Sequence, residues 1–301
     1  MLVIKSLLLL GLVTSASFAQ DVSSPPPAGG VVTEPVKKLC TALGKKFNDF
    51  KWGDPKCEDF TWNHVRNSDL GTPLVWTTFG DEKSAGVENT TIVLCGVHGD
   101  EITPVKFCWD LMRDLRTKEF KDKFVVIAPL VAPDSFLKAK PSRTNGRGVD
   151  VNRNFPTGDW LKEAHRKWKS AYRSDKRKFP GSRAASEQET IFQMNLILRY
   201  KPNKVVSVHA PLTLLDYDGP SLTNDSGKPA KALLEGMSEK SSNYKVQDYP
   251  VFPGSLGNWA GQEKNIPTYT LELPNINPAE TDNFWNLFKD ALFLALDHKM
   301  K

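Results

Sequence analysis

The chain has 301 residues, a formal net charge of +5 and hydrophobic residues at 40% of positions. That length suits one large α/β domain able to bury its own core without staples. The charge is modest and no nucleic-acid-binding motif accompanies it, so that class is set aside.

Met1–Lys5 ends in a single cation, Ser6–Ala16 is an apolar run, and Ser17-Phe18-Ala19 offers small residues before Gln20. This is the layout of a secretory signal peptide cut after Ala19. The run falls short of the roughly 20 residues that span a bilayer, and no Cys follows it to carry a lipid anchor. Export to the periplasm or outside the cell is therefore expected. Residues 20–35, with Pro25-Pro26-Pro27 among Ser, Gly and Val, read as a flexible linker. Residues 36–301 form the folded domain, and nothing in them is apolar enough to span a membrane.

Cys40 and Cys57 flank a short polar segment, and whether they pair stays open. Strands are expected at Thr72–Phe79, Thr91–Gly96, Phe124–Val131, Lys204–Val208 and Thr268–Leu273, short runs rich in β-branched and aromatic residues. Thr91–Gly96 and Phe124–Val131 are almost continuously apolar, as strands covered on both faces should be. Between them, Thr103–Arg116 places Val105, Cys108, Leu111, Met112 and Leu115 on one helical stripe. Cys95 in its strand and Cys108 on that stripe are expected to be buried free thiols. Ser186 with Glu189 reads as a capping box opening another helix, and Asp282–Asp297 closes the chain as a third. Nine Lys or Arg residues crowd Lys162–Arg183; a solvated helical face is favoured there over a patch for anionic polymers. Strands alternating with helices argue for a sheet covered on both faces, with any site at the carboxyl ends of its strands.

Three positions meet that rule. Val97-His98-Gly99-Asp100-Glu101 follows the strand Thr91–Gly96, and a turn at Gly99 can bring His98 and Glu101 to one side. His209 follows Lys204–Val208. Two His and one Glu with an open fourth position make a catalytic zinc set. Glu272 lies between Leu271 and Leu273, where a carboxylate is costly unless something positive is near. Beside a metal-activated water it is well placed to take a proton and pass it to a leaving amine. The loop Ser142–Pro156 has too much Gly, Asn and Arg to be core, and its arginines suit a carboxylate clamp.

Taken in order, His98-Gly99-Asp100-Glu101, Gly148-Val149-Asp150-Val151-Asn152-Arg153-Asn154-Phe155-Pro156, Ser186-Glu187 with Glu189-Thr190, His209 and Thr270-Leu271-Glu272 resemble the motifs of the zinc carboxypeptidase (M14) family. The match spans about residues 70 to 275. The resemblance implies one Zn2+ per chain on His98, Glu101 and His209, with Glu272 as general base. It puts the substrate-carboxylate clamp on Asn152 and Arg153, gives Arg143 the stabilisation of the oxyanion, and makes Tyr249 the tyrosine of the cleft. It also implies a mixed, mostly parallel eight-stranded sheet sandwiched by helices in a single domain.

The strings His-Gly-Asp-Glu, His209-Ala210-Pro211-Leu212 and Thr-Leu-Glu-Leu-Pro look most like the bacterial murein peptide amidase branch. That branch cuts between γ-D-glutamate and meso-diaminopimelate in peptidoglycan stem peptides. Leu256 stands where an acid would select a basic side chain. Asp216 or Asp218 is a candidate to meet a substrate amine, against the plainer reading of two solvated loop acids. The expected function is thus a metallocarboxypeptidase with a peptide or stem-peptide substrate. The alternatives are a general peptide carboxypeptidase, an aspartoacylase-like N-acyl amino acid deacylase, and a non-catalytic wall-binding module. The last requires a missing ligand or base, and none is missing.

Overall fold

The computed structural model describes residues 33–85 and 89–301. The expected signal peptide and most of the expected linker lie outside the described residues. Helix α1 (Glu34–Asp49) starts two residues inside the segment expected to be linker, with Pro35 in its first turn, where the missing N–H is no loss. Val36, Leu39, Leu43 and Phe47 form its buried stripe.

The strands are β1 (Asn63–Asn67), β2 (Pro73–Phe79), β3 (Thr90–Leu94), β4 (Phe124–Ala128), β5 (Lys204–His209), β6 (Leu214–Asp218) and β7 (Thr268–Glu272). The later helices are α2 (Glu82–Ala85), α3 (Thr103–Leu115), α4 (Pro133–Phe136), α5 (Trp160–Ser170), α6 (Gln188–Tyr200), α7 (Lys228–Lys240) and α8 (Thr281–Asp297).

One mixed sheet of seven strands runs β1-β2-β4-β3-β5-β7-β6. Its centre, β4-β3-β5-β7, is parallel, and the pairs β1-β2, β2-β4 and β6-β7 are antiparallel. In place of the eighth strand expected from the resemblance, the described residues show an isolated parallel bridge from Leu215 of β6 to Val246. Two backbone hydrogen bonds hold it, from Leu215 N to Lys245 O and from Gln247 N to Leu215 O. Lys245 and Gln247 sit in a polar, largely exposed segment, which offers the sheet no apolar face to extend.

Continuous apolar strands divide their side chains between two layers. Val93, Cys95, Val125 and Ile127 join the cluster with α1, α3, α7 and α8. Ile92, Leu94, Val126 and Ala128 join the one with Phe192, Leu196 and Ile197 of α6. Among the described residues no helix is long and apolar enough to cross a membrane.

Two expectations are corrected. Cys95 and Cys108 are not free thiols but form a disulfide with Cα atoms 6.3 Å apart. Helix α3 folds back over the end of β3, so two inward-facing cysteines on neighbouring elements meet. Cys40 and Cys57 are also bridged, tying α1 to the turn at Cys57–Asp59. The capping box does not form either. Glu187 is the N-cap residue of α6 without a side-chain cap, and Glu189 turns its carboxylate to Asn145 instead.

At the opposite edge from the strands' carboxyl ends, Lys204 is fully buried, its Nζ donating to Asn89 Oδ1 at 3.0 Å and His298 O at 2.7 Å. Burial pushes its pKa down to about 7. Between that value and the usual Lys range the unfolded chain binds a proton that the folded chain does not, so Lys204 makes stability rise with pH across that window and depresses it most at pH 7 and below. Lys204→Met removes this dependence. The stability of the variant relative to the parent should be more favourable at pH 7 than at pH 9.5 by roughly 1–4 kcal/mol. Urea unfolding at both pH values measures it; a pH-independent difference contradicts a neutral buried lysine.

Candidate active site

The parallel centre of the sheet brings the carboxyl ends of β3, β5 and β7 to one edge. After β3 the chain passes through Gly99, where a Cβ would stand 2.4 Å from the Phe136 amide nitrogen. Only glycine lets the loop run this close to α4, and the turn delivers His98 and Glu101 side by side. His98 Nδ1 lies 2.7 Å from Glu101 Oε1. His209, at the end of β5, sets its Nδ1 2.9 Å from Glu101 Oε2. All three residues are buried, and their ligand atoms lie within 4.8 Å of one another.

The far nitrogens are held from outside the triad. His98 Nε2 meets Asp150 Oδ1 at 3.0 Å, and His209 Nε2 meets Ser207 Oγ at 2.9 Å. Such partners fix the ring orientation of metal-binding histidines. With the Nε2 hydrogen given to Asp150, the Nδ1 lone pair of His98 faces a carboxylate, an arrangement that calls for positive charge between them. Burial and Arg143 work to lower the His98 pKa, but Glu101 and Asp150 outweigh them and it is raised. Burial alone would raise the Glu101 carboxyl; the two imidazoles instead hold it well below the usual range. Two Nδ1 atoms converging on one carboxylate in a dry, anionic setting fit a zinc ion.

Glu272 ends β7 directly beside His209 in the β5–β7 register. Its Oε2 accepts the Leu212 amide at 3.2 Å. Burial pushes its pKa up against the influence of His209, the direction a general base working near neutrality needs.

The loop before α5 supplies the cations. Arg143 donates from Nη1 to Glu101 Oε1 and from Nε to Asp150 Oδ2, each at 3.0 Å. Asn152 Oδ1 accepts the Leu256 amide at 2.8 Å, which leaves its Nδ2 as the donating end. Arg153 lies 4.3 Å over the Phe252 ring, donates Nη1 to Asn152 O at 2.7 Å, and keeps Nε buried without a partner. A carboxylate reaching that nitrogen would complete the fork. Tyr249 is half-buried, its amide held by Asp216 Oδ1 at 2.9 Å.

All eight residues expected from the sequence line one cleft of about 440 Å³. Three further residues belong with them. Asp150, fully buried, joins His98 to Arg143. Ser207 is a hydroxyl two residues before His209 on β5, so period-two alternation already put it on the same face as that histidine. From the crowded basic stretch, Arg177 lines the cleft and pairs with Asp100 at 2.6 Å.

Asp216 and Asp218 are not solvated loop acids. Both are buried on β6 and line the cleft. A Cβ on Gly257 would come within 1.8 Å of Asp218 Oδ2, so the helical turn Gly257–Glu263 can close over this acid only because residue 257 is glycine. Burial, helped by Asp216, pushes the Asp218 carboxyl up to about 7.

Comparison with known proteins agrees with this geometry. The zinc carboxypeptidase (peptidase M14) family model matches residues 61–286. Murein peptide amidase A of Escherichia coli is 32% identical over 219 residues, covering 72% of this chain and 83% of that protein. The crystal structure of a murein-tripeptide amidase from Escherichia coli superposes with a TM-score of 0.56 at 28% identity, covering 78% of this chain and 91% of that one. Carboxypeptidase A from Helicoverpa armigera shares the fold at 16% identity, with a TM-score of 0.61 over 84% of this chain and 70% of its own.

Proposed function

The chain belongs to the zinc carboxypeptidase family of hydrolases, and from that premise we propose that it removes a C-terminal diaminopimelate-type residue from peptidoglycan stem peptides outside the cytoplasm. The observation that carries the substrate is the buried pair Asp216 and Asp218 in the same cleft as Arg153 and Asn152. Diaminopimelate ends in a zwitterionic side chain, so it needs an anionic partner in addition to the clamp for its main-chain carboxylate. The two relatives named murein amidases support the same substrate class. The two disulfides support an oxidising compartment, as does the signal-peptide layout of residues 1–19.

His98, Glu101 and His209 would hold the zinc, which when bound supplies Lewis acidity for the scissile carbonyl and the attacking water. Asn152 Nδ2 and Arg153 Nε receive the free carboxylate and fix the register of the peptide. Glu272 takes the proton of the attacking water and delivers it to the leaving amine. Arg143, with Nε and Nη1 already bound, offers Nη2 to the carbonyl oxygen as negative charge develops there. Tyr249 covers the substrate from the loop before Phe252.

The deciding assay sets purified tripeptide, tetrapeptide and whole sacculi against ordinary L-peptides ending in Phe or Lys, with products read by mass spectrometry. Release of diaminopimelate is expected. Efficient cleavage of the ordinary peptides alone would leave a general carboxypeptidase and remove this substrate.

Asp218 gives the substrate reading its own pH signature. Its carboxyl gains charge as pH rises through about 7, so KM for an ammonium-bearing substrate should fall between pH 6 and pH 8. Asp218→Asn should raise KM at pH 8 about tenfold, in line with the loss of one charge-assisted hydrogen bond, and should flatten that slope while kcat changes less. A variant that keeps both the parent KM and the parent slope would take Asp218 out of substrate recognition.

A further inference from the structure

Outside the cleft, a second group of acids has no part in the chemistry above. Asp69 lies in the turn between β1 and β2, Glu187 is the N-cap of α6 and Glu189 stands in its first turn. One carboxylate oxygen from each lies within 4.8 Å of the other two. Glu187 and Glu189 are buried, with 1% and 0% of their surface exposed, while Asp69 opens the group to solvent.

The hydrogen bonds around the group leave it short of positive charge. Asn145 Nδ2 donates to Glu187 Oε2 at 2.8 Å and to Glu189 Oε2 at 2.9 Å. The Ser186 hydroxyl donates to Glu187 Oε1. Glu189 Oε1 is buried with no hydrogen-bond partner at all. Nearby, Asp134 adds a fourth carboxylate, its Oδ1 taken by the Thr72 hydroxyl and its Oδ2 also buried without a partner. The Arg147 guanidinium, half-exposed, forms only long ion pairs with the group, 3.7 Å from Asp69 and 3.9 Å from Glu187. The amino end of α6 favours acids in its first turn, but that gives Glu189 Oε1 no donor. A buried carboxylate oxygen left bare is expensive, and native structures keep such groups few and explained.

We propose that Asp69, Glu187 and Glu189 form a calcium site, with Asn145 as the brace that holds the two glutamates together. An all-oxygen, carboxylate-rich donor set suits a hard cation. Calcium spans opposed ligands about 4.6–5.2 Å apart and tolerates irregular geometry, whereas magnesium demands about 4.0–4.2 Å and gives up its water reluctantly. An irregular set of carboxylates drawn from a turn and a helix end therefore suits calcium better than magnesium.

The site reaches the cleft through Asn145. That residue's Oδ1 accepts the amides of Arg147 and Val149 at 3.1 and 3.0 Å, one residue before Asp150, which orients His98 and Arg143. A cation here would fasten the β1–β2 turn, the arginine loop and the start of α6 to one another, stiffening the base from which the substrate clamp projects.

The test uses the full, zinc-loaded chain dialysed into calcium-free buffer and titrated with calcium chloride in a calorimeter at constant ionic strength, with zinc measured in the same samples. One calcium per chain should bind with Kd of about 10⁻⁴ to 10⁻³ M, the range of extracellular calcium modules. The Tm should rise by several degrees in about 10 mM calcium and by less in equal magnesium. Asp69→Asn and Glu189→Gln should both abolish binding while zinc content stays unchanged. If the buried Glu189→Gln protein fails to fold, the surface variant Asp69→Asn decides. A fully zinc-loaded parent protein that binds no calcium overturns the site and leaves a proton on Glu189, whose carboxyl burial pushes up to about 7, as the reason for the bare oxygen. Binding that persists in the folded variants overturns it equally.

Discussion

Replacing Glu272 by Gln should lower kcat by about 10³- to 10⁴-fold while zinc content stays near one per chain. The side chain keeps its volume, and its amide oxygen can still accept the Leu212 amide that now meets Oε2. The backbone around it is fixed independently, because Tyr244 donates its hydroxyl to Glu272 O at 2.8 Å and the β5–β7 pairing holds residue 272 opposite His209. What disappears is the capacity to accept a proton from water and return it to the amine. Since Glu272 touches neither ligand of the clamp, KM should move much less than kcat. Turnover of the stem peptide by Glu272→Gln within about tenfold of the parent would remove the base from this position. Zinc measured by mass spectrometry in the same preparation guards against loss of metal as the cause.

Replacing His209 by Ala should empty the metal site, leaving well under one zinc per ten chains after gel filtration. Three protein ligands are the minimum for a tight catalytic zinc, and this substitution also deprives Glu101 Oε2 of its closest partner, leaving it the Ala210 amide at 3.3 Å. Ser207→Ala separates the ligand from its support. It removes only the hydroxyl that holds His209 Nε2, and the expected result is a metal affinity roughly 10- to 100-fold weaker with the fold retained. Full zinc in His209→Ala would discard this ligand set, and an unchanged affinity in Ser207→Ala would make the Ser207 contact incidental.

Much of this was legible from the chain itself where a residue contradicted its surroundings. Glu272 stands out because an apolar strand would not take a buried acid for stability, and β3 and β4 stand out because both faces are covered. The edge strands were not readable, for different reasons. Asn63–Asn67 in β1 alternates weakly and has polar termini. Leu214–Asp218 in β6 carries two acids that β-propensity argues against, and the cleft that requires them is built by distant segments. Asp150 escaped notice because its worth lies in joining His98 to Arg143, two residues brought together only by the fold. The Cys95–Cys108 pair escaped for a similar reason. Each residue taken alone looks like an ordinary buried thiol, and nothing in the spacing says that α3 returns over the end of β3. Helix α1 is hard to read because its four buried apolar positions are interleaved with as many lysines, Lys37, Lys38, Lys45 and Lys46, the last of them itself buried.

That same bridge has a bearing on how the active protein comes into being. It closes a loop of 13 residues in sequence separation, and His98 and Glu101 both lie inside it. A ring this short has few open shapes, so two of the three proposed ligands stay near each other without any metal, and less conformational entropy remains to be lost on binding. If His98 and Glu101 hold the zinc as proposed, oxidation of the pair before metal capture would prepare the site for the ion. Protein stripped of metal after the bridge has formed should keep this loop and reload with zinc as a folded molecule, and more readily than a chain whose Cys95 and Cys108 stay reduced.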